Sequence, residues 1–341
     1  MSDSGDAPPP RPPRRKRYAG KNPQRYDQKY KEHRGDAETL AKVVASGKTA
    51  AGTHRPIMVE EILRTLKPQN GQSALDATLG FGGHAEALLG QLLPGGRLVG
   101  LDADARQLPL TVERLRLAGF TEPAFQAVRS NFAGAPKVLA TLGWEGVDMV
   151  LADLGVSSMQ IDNPSRGFSY KHDGPLDMRM NPERGQTAGQ LLKSVSVKKL
   201  AQILAENADE PNADRLAEGL AGGEYLSTSA LKHRVVQLLG SETAVAALPR
   251  VFQALRIAVN EEFTALESLL RALPGMLRPR GRVAILTFHS GEDRRVKKAF
   301  QAGLAAGVYS AVATEVTRAS AAEIFHNPRA SSAKLRWAVR R

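Results

Sequence analysis

Two carboxylates with a glycine-rich turn between them carry the first chemical information in this chain. The run DATLGFGGHA, Asp76 to Ala85, follows an apolar lead-in at Ser73-Ala74-Leu75, and a second apolar run at Val99 to Leu101 ends in Asp102. Strand, tight loop, crossover helix and second parallel strand form the pattern that seats a nucleoside-bearing ligand, because the acid after the second strand accepts hydrogen bonds from ribose hydroxyls. Gly80-x-Gly82-x-x-Ala85 satisfies the dinucleotide fingerprint. It suits S-adenosylmethionine equally, which lays adenosine and a methionine tail across the same strand ends without a phosphate. Asp76 beside the turn would repel a pyrophosphate and could help hold an ammonium group, which tilts the pattern toward the sulfonium ligand. Capping a helix is the structural alternative for this acid. His84 offers the ligand a neutral imidazole, or else makes a hydrogen bond at the helix start.

A third acid, Asp153, ends the continuous apolar run Val147 to Ala152. Such a run suits a central parallel strand buried on both faces. An acceptor at that strand end can orient an amine and take its proton as a methyl group arrives; capping the turn at Gly155 is the alternative role. The long loop that follows bears Arg166, Phe168, Tyr170, Asp177 and Arg179. These groups can stack on and hydrogen-bond an extruded base, or pair with one another at the surface. His289, in TFHS at a strand end, is a candidate base or ligand contact. No HExxH or paired-carboxylate spacing marks a metal site, and with no cysteine in the sequence thiol nucleophiles, disulfides and iron–sulfur clusters are excluded.

Positioning these groups requires a sheet. The patterns predict an amphipathic helix over Ile57–Leu66, strands at 73–75, Arg97–Leu101, Phe125–Val128 and Val147–Ala152, and a helix over Ala105–Leu117. From Thr187 to about Leu248 the apolar spacing is helical, as at Leu200, Ile203 and Leu204. A long helix at Val251–Asn260, a strand in Gly281–Ser290 and closing strands at Val312–Thr317 and Leu335–Val339 complete the expectation. The chain is 341 residues long with a net charge of +12. Ten Lys/Arg against two acids lie between Arg11 and Arg34, interleaved with Tyr18, Tyr26 and Tyr30, a composition suited to phosphate neutralisation with base stacking. No apolar run approaches a membrane span, and the start, MSDSGDAPPP, is unlike a secretory signal; no membrane association and a cytoplasmic location are expected. The expected division is a basic extension (1–51), a first core part (52–164), a substrate loop and helical insert (165–250) and a second core part (251–341).

Longer stretches make the chain resemble the family of small-subunit ribosomal RNA cytosine-N4 methyltransferases (RsmH, also called MraW). They are HRPIMVEE (54–61), DATLGFGGHA (76–85), LDAD (101–104), DLGVSSMQID (153–162), RGFSYKHDGPLDMRMNPERGQTA (166–188), FQALRIAVNEE (252–262), GRVAILTFHSGEDRRVK (281–297) and NPRASSAKLR (327–336). The resemblance implies an α/β fold, a Rossmann-like class I methyltransferase sheet with an all-helical domain inserted after the fourth strand. It also implies S-adenosyl-L-methionine as cofactor, and methylation of the exocyclic amine of a cytidine in the ribosomal decoding centre. Its cofactor contacts fall on Gly82, Gly83, His84, Asp102, Phe132, Asp153 and Gln160. Asp153, with His289, is the expected catalytic group, and Phe168, Tyr170 or Phe288 the expected base platform. The partner would be small-subunit ribosomal RNA or the assembled subunit, and the basic extension would contact that RNA. The sequence leaves the oligomeric state open, a dimer among the options. The chain departs from the family pattern at Gly291, at Ser331 and at Asp209-Glu210-Pro211. Two rival classes stand beside this one: a ribosome-assembly factor with a vestigial pocket, and a nicotinamide-dependent oxidoreductase.

Overall fold

The computed structural model describes residues 56–341, so the basic extension and its tyrosines lie outside the described residues. The first half runs α1 (Val59–Leu66), β1 (Ser73–Asp76), α2 (Gly83–Leu92), β2 (Arg97–Asp102), α3 (Leu108–Leu117), β3 (Phe125–Arg129), α4 (Ala135–Thr141), β4 (Val147–Asp153) and the short α5 (Ser158–Asp162). A helical insert follows: α6 (Ala188–Ser194), α7 (Val197–Ala208), α8 (Ala213–Leu220), α9 (Thr228–Leu239) and α10 (Ser241–Val259). The chain then returns through α11 (Glu262–Met276), β5 (Leu277–Thr287), α12 (Ser290–Ala305), β6 (Tyr309–Val312), α13 (Ala321–His326) and β7 (Lys334–Arg340).

The seven strands lie in the order β3-β2-β1-β4-β5-β7-β6. The first five are mutually parallel, and β7 runs antiparallel to both β5 and β6. Strand order therefore reverses between β1 and β4, and ligands of open α/β sheets bind in the crevice at such a reversal. β1 is buried throughout, and Val150, Leu151 and Ala152 of β4 are fully buried, as strands covered by helices on both faces must be. One face packs against α4, α11 and α12 through Leu139, Leu269, Leu273 and Phe300. The other packs against α1, α2 and α3 through Ile62, Leu88, Leu89 and Leu115.

The insert has its own apolar core, built on Leu192, Leu200, Leu204, Leu216, Leu231 and Val235. Val251, Phe252, Ala254 and Leu255 of α10 belong to that core. The helix expected from Val251 thus begins ten residues earlier and crosses position 250 without a break. α11 and α12 are absent from the sequence expectation; the last turn of α11 accommodates both Pro274 and Gly275. β6 ends at Val312, where a strand was expected to begin, and beyond it only Thr317 bridges to Leu335.

Candidate active site

A cavity of about 370 Å³ opens at the β1/β4 reversal, a volume suited to a small organic ligand. One wall is the glycine turn. Leu79 N–H donates to Leu101 O at 2.7 Å and Gly80 N–H to Asp102 Oδ2 at 2.9 Å, so the turn is fastened to the end of β2. Asp102 Oδ1 also accepts from Asp104 N–H at 2.7 Å. Burial pushes the Asp102 carboxyl up to about 6, and each oxygen keeps a second lone pair for a hydroxyl donor. Gly80, Gly83, His84, Asp102, Phe132 and Gln160 all line the cavity.

Gly82, expected among the cofactor contacts, does not line it. This residue has φ +74° at the start of α2, and a Cβ there would stand 2.9 Å from Leu115 Cδ1 and 3.0 Å from Thr111 Cγ2. Close packing against α3, on top of the left-handed backbone, is what requires glycine. Asp76 does not line the cavity either: it is 1% exposed, and the helix after the turn has Gly82 at its N-cap with no side-chain cap. Its Oδ1 accepts from Thr78 N–H at 3.1 Å, its Oδ2 is buried without a partner, and burial pushes it up to about 6. Gln160 reaches the cavity with both polar ends engaged, Nε2 donating to Asp104 Oδ2 at 2.9 Å and Oε1 accepting from Ser157 N–H at 3.0 Å.

Asp153 ends β4 facing the turn. Its backbone N–H donates to Thr78 Oγ1 at 2.6 Å, and its Oδ1 is buried with no hydrogen-bond partner. Its Oδ2 lies 3.7 Å from His84 Nδ1. His84 Nε2 is 2.9 Å from Ile57 O, an acceptor, so Nε2 carries the proton and Nδ1 presents a lone pair to Asp153. Burial lowers the His84 pKa, which keeps that ring neutral. Burial, with the charge of Glu292 adding to it, pushes Asp153 up to about 7. A carboxyl poised near neutrality with an unsatisfied oxygen is suited to receive a proton.

The remaining wall comes from the second half of the chain. Arg256 at the end of α10 donates through Nε and Nη2 to Glu262 at 2.8 and 2.9 Å. Asn260, between α10 and α11, accepts from Met180 N–H at 2.7 Å and donates to Met178 O at 2.8 Å and Arg256 O at 2.9 Å. Glu292 Oε2 accepts from Phe288 N–H at 2.9 Å, and its Oε1 lies 3.2 Å from His289 Nε2. Arg256, Asn260, Glu262, Phe288 and Glu292 line the cavity. Of these only Phe288 was singled out in the sequence, as a candidate base platform; for the other four, the polar residues on the apolar stretches FQALRIAVNEE and FHSGED were the available signal. His289 does not line it: its ring lies against Phe263 and Glu292. At Gly291 a Cβ would come within 2.6 Å of Phe263 Cζ, so the Phe263 ring takes the space that a side chain at 291 would need.

The loop residues expected to touch a base are all engaged elsewhere. Arg166 is buried and pairs with Asp104 Oδ2 at 2.7 Å, while its Nη2 holds Arg179 O and Met180 O at 3.1 and 3.0 Å. Phe168 lies in the core of the insert, and Tyr170 meets Phe252 edge-on with ring centroids 5.5 Å apart. Asp177 and Arg179 grip each other at 2.8 Å. None of the five lines the cavity; they brace the loop that Asn260 clamps. Asp209, at the departure from the family pattern, accepts from Ser290 Oγ at 2.8 Å and Arg294 Nη2 at 2.9 Å, tying the insert to α12. Among the described residues no group of three His, Cys, Asp or Glu could hold a metal ion, and no helix is long and apolar enough to cross a membrane.

The strand order, the acid-ended β2 beside a glycine turn and the unsatisfied carboxylate across the reversal define a Rossmann-like class I methyltransferase that uses S-adenosyl-L-methionine. The residues fit that cofactor, with Asp102 placed as an acceptor for a ribose diol. Residues 51–341 match the MraW methylase family, and the chain belongs to it. It is 44% identical over 341 residues to the ribosomal RNA small subunit methyltransferase H 1 of Agathobacter rectalis, covering 96% of this chain and 97% of that protein. It is 45% identical to the protein of the same description from Lachnoclostridium phytofermentans, with 96% and 93% covered. The ribosomal RNA small subunit methyltransferase H of Myxococcus xanthus is 40% identical over 301 residues, covering 83% of this chain and 96% of that protein.

Proposed function

We propose that this enzyme methylates the exocyclic N4 of a cytidine in the decoding centre of small-subunit (16S) ribosomal RNA. The description carried by its relatives supports the RNA, and Asp153 supports the amine. A cytosine amine has its lone pair conjugated into the ring and is a poor nucleophile, so an adjacent acceptor must take a hydrogen as the nitrogen pyramidalises. The Asp153 carboxylate, at the end of β4 and lining the cavity with its side chain 27% exposed, is that acceptor. S-adenosylmethionine, when bound, supplies an electrophilic methyl carbon on a good leaving group. Asp102 holds its ribose and Phe132 lies near adenine; Gly83, where a Cβ would stand 2.9 Å from Pro56 Cγ, lets the Pro56 ring close against the turn, and His84 stays neutral 3.7 Å from Asp153. Phe288 takes the role of base platform in place of Phe168 and Tyr170. His289 acts only through Glu292. The substrate is the RNA or the assembled subunit, in the cytoplasm.

The test is incubation of unmethylated small subunits with labelled S-adenosylmethionine, followed by mass analysis of nucleosides. N4-methylcytidine is expected. Label in protein, in DNA or on a cytosine carbon overturns the assignment.

A further inference from the structure

We infer that Arg256 reads the target base, its Nη1 donating a hydrogen bond to ring nitrogen N3 of the cytosine whose N4 faces Asp153. This rests on the cytidine assignment above and extends it to specificity.

Arg256 presents one edge of a fixed guanidinium to the cavity. Nε and Nη2 are both committed to Glu262, at 2.8 and 2.9 Å, in a side-on pair that fixes the plane of the group. Nη1 has no protein partner among the described residues and is not among the buried unpartnered atoms, so it opens into the cavity. The side chain is only 15% exposed and that of Glu262 only 9%. Asn260 pins the Arg256 carbonyl at 2.9 Å while clamping the loop at Met178 and Met180, so the donor cannot drift. A fixed donor in a half-dry cavity with no internal acceptor awaits one from outside.

The charge around it selects what that acceptor is. Glu262 and Glu292 both face Arg256, Glu292 being 3% exposed. With His289 beside Glu292 counted either neutral or protonated, the cluster carries no net positive charge. A phosphate would meet two carboxylates for one guanidinium and be repelled. A neutral acceptor would not. Cytosine offers an N4 donor and, next to it, an N3 acceptor; uracil offers an O4 acceptor and an N3–H donor. An acceptor at Asp153 with a donor at Arg256 matches the first pattern and opposes the second at both positions. Sites built around such paired groups discriminate strongly, because the wrong base leaves buried groups unpaired.

The experiment pairs a protein change with a base change. Small subunits are reconstituted with cytidine or with 3-deazacytidine at the target, which keeps the N4 amine but replaces N3 by C–H. Methyl transfer at saturating S-adenosylmethionine is measured for wild type, Arg256→Met and Arg256→Lys. Wild type should lose at least tenfold in kcat/KM on the deaza substrate. Arg256→Met should lose a similar factor on cytidine and nothing further on 3-deazacytidine, with S-adenosylmethionine affinity unchanged by calorimetry. Arg256→Lys, which keeps a charge against Glu262, should fall between them and guards against a variant that does not fold. Losses that multiply, or a wild type indifferent to N3, overturn the assignment of Arg256. Absence of N4-methylcytidine from wild type on ordinary subunits is a separate outcome and overturns the cytidine assignment instead.

Discussion

The wall of the cavity formed by the glycine turn is held by hydrogen bonds to backbone groups drawn from one short stretch of chain: Gly80 N–H on Asp102, Thr111 Oγ1 on Gly80 O at 2.5 Å, Arg114 Nε on Phe81 O at 2.8 Å. The opposite wall is tied across a longer span of chain, with Asn260 reaching the backbone of Met178 and Met180 about eighty residues away and Arg256 paired side chain to side chain with Glu262. The turn wall is thus fixed within one β-α-β unit and its following helix, the part of the fold that seats a ligand common to many enzymes. The opposite wall depends on every member of a network that joins the insert to the core, and suits the recognition proposed for it.

Replacing the group that both walls share should have the largest effect. Asp153→Asn keeps the shape and removes the proton acceptor; methyl transfer should fall by roughly 10²–10⁴-fold with S-adenosylmethionine affinity little changed, measured by label incorporation and calorimetry. A variant as active as wild type would remove Asp153 from the chemistry. On the turn side alone, Asp102→Ala should weaken S-adenosylmethionine binding by about 30–150-fold, two lost hydrogen bonds at about 1 to 1.5 kcal/mol each. The KM for the subunit should not follow; if both move together, the walls are not separable.

Acid should act on the shared group. Asp153 titrates near 7 instead of the ordinary 3.8, and the ionised form is the acceptor. Turnover should therefore fall about tenfold per pH unit below 7, and the limb should vanish in Asp153→Asn; a flat profile down to pH 5 would count against it. On the opposite wall, Asn260→Ala strands Met180 N–H and two carbonyls, which should cost roughly 2–4 kcal/mol in thermal unfolding and raise the KM for the subunit.

The smallest effect is expected at Asp76. Its folded pKa, about 6, stands above the ordinary 3.8. The penalty of ionising it is thus absent below pH 4, grows between 4 and 6 and is fully present above 6. Asp76→Asn should gain about 2 kcal/mol more at pH 8 than at pH 4, read as the difference between two melting curves. Equal shifts at both values would mean that Asp76 remains ionised at low pH.

The same contrast explains what could be read from the sequence. The turn, both flanking acids and strands β1 to β4 are contiguous, and their spacing encodes their geometry. Asp76 and Gly82 show the limit even there: type and position were legible, but which way each faces was decided by α3 and by the depth of β1. Arg166, Phe168, Tyr170, Asp177 and Arg179 have the composition of a base-binding loop, and packing turned them inward to brace it. Arg256, Asn260, Glu262 and Glu292 were hidden because each is an ordinary charge or amide on or beside a helix until the insert closes the chain upon itself.

α10 is a single helix with two allegiances, its middle buried in the core of the insert and its last turn carrying Arg256 into the cavity. A rod shared in this way makes the helical domain a lever arm on the chemistry. A shift of the insert against the sheet would therefore carry that guanidinium with it, since both belong to one nineteen-residue helix. Alignment at the reacting edge can then be earned by contacts made far from it.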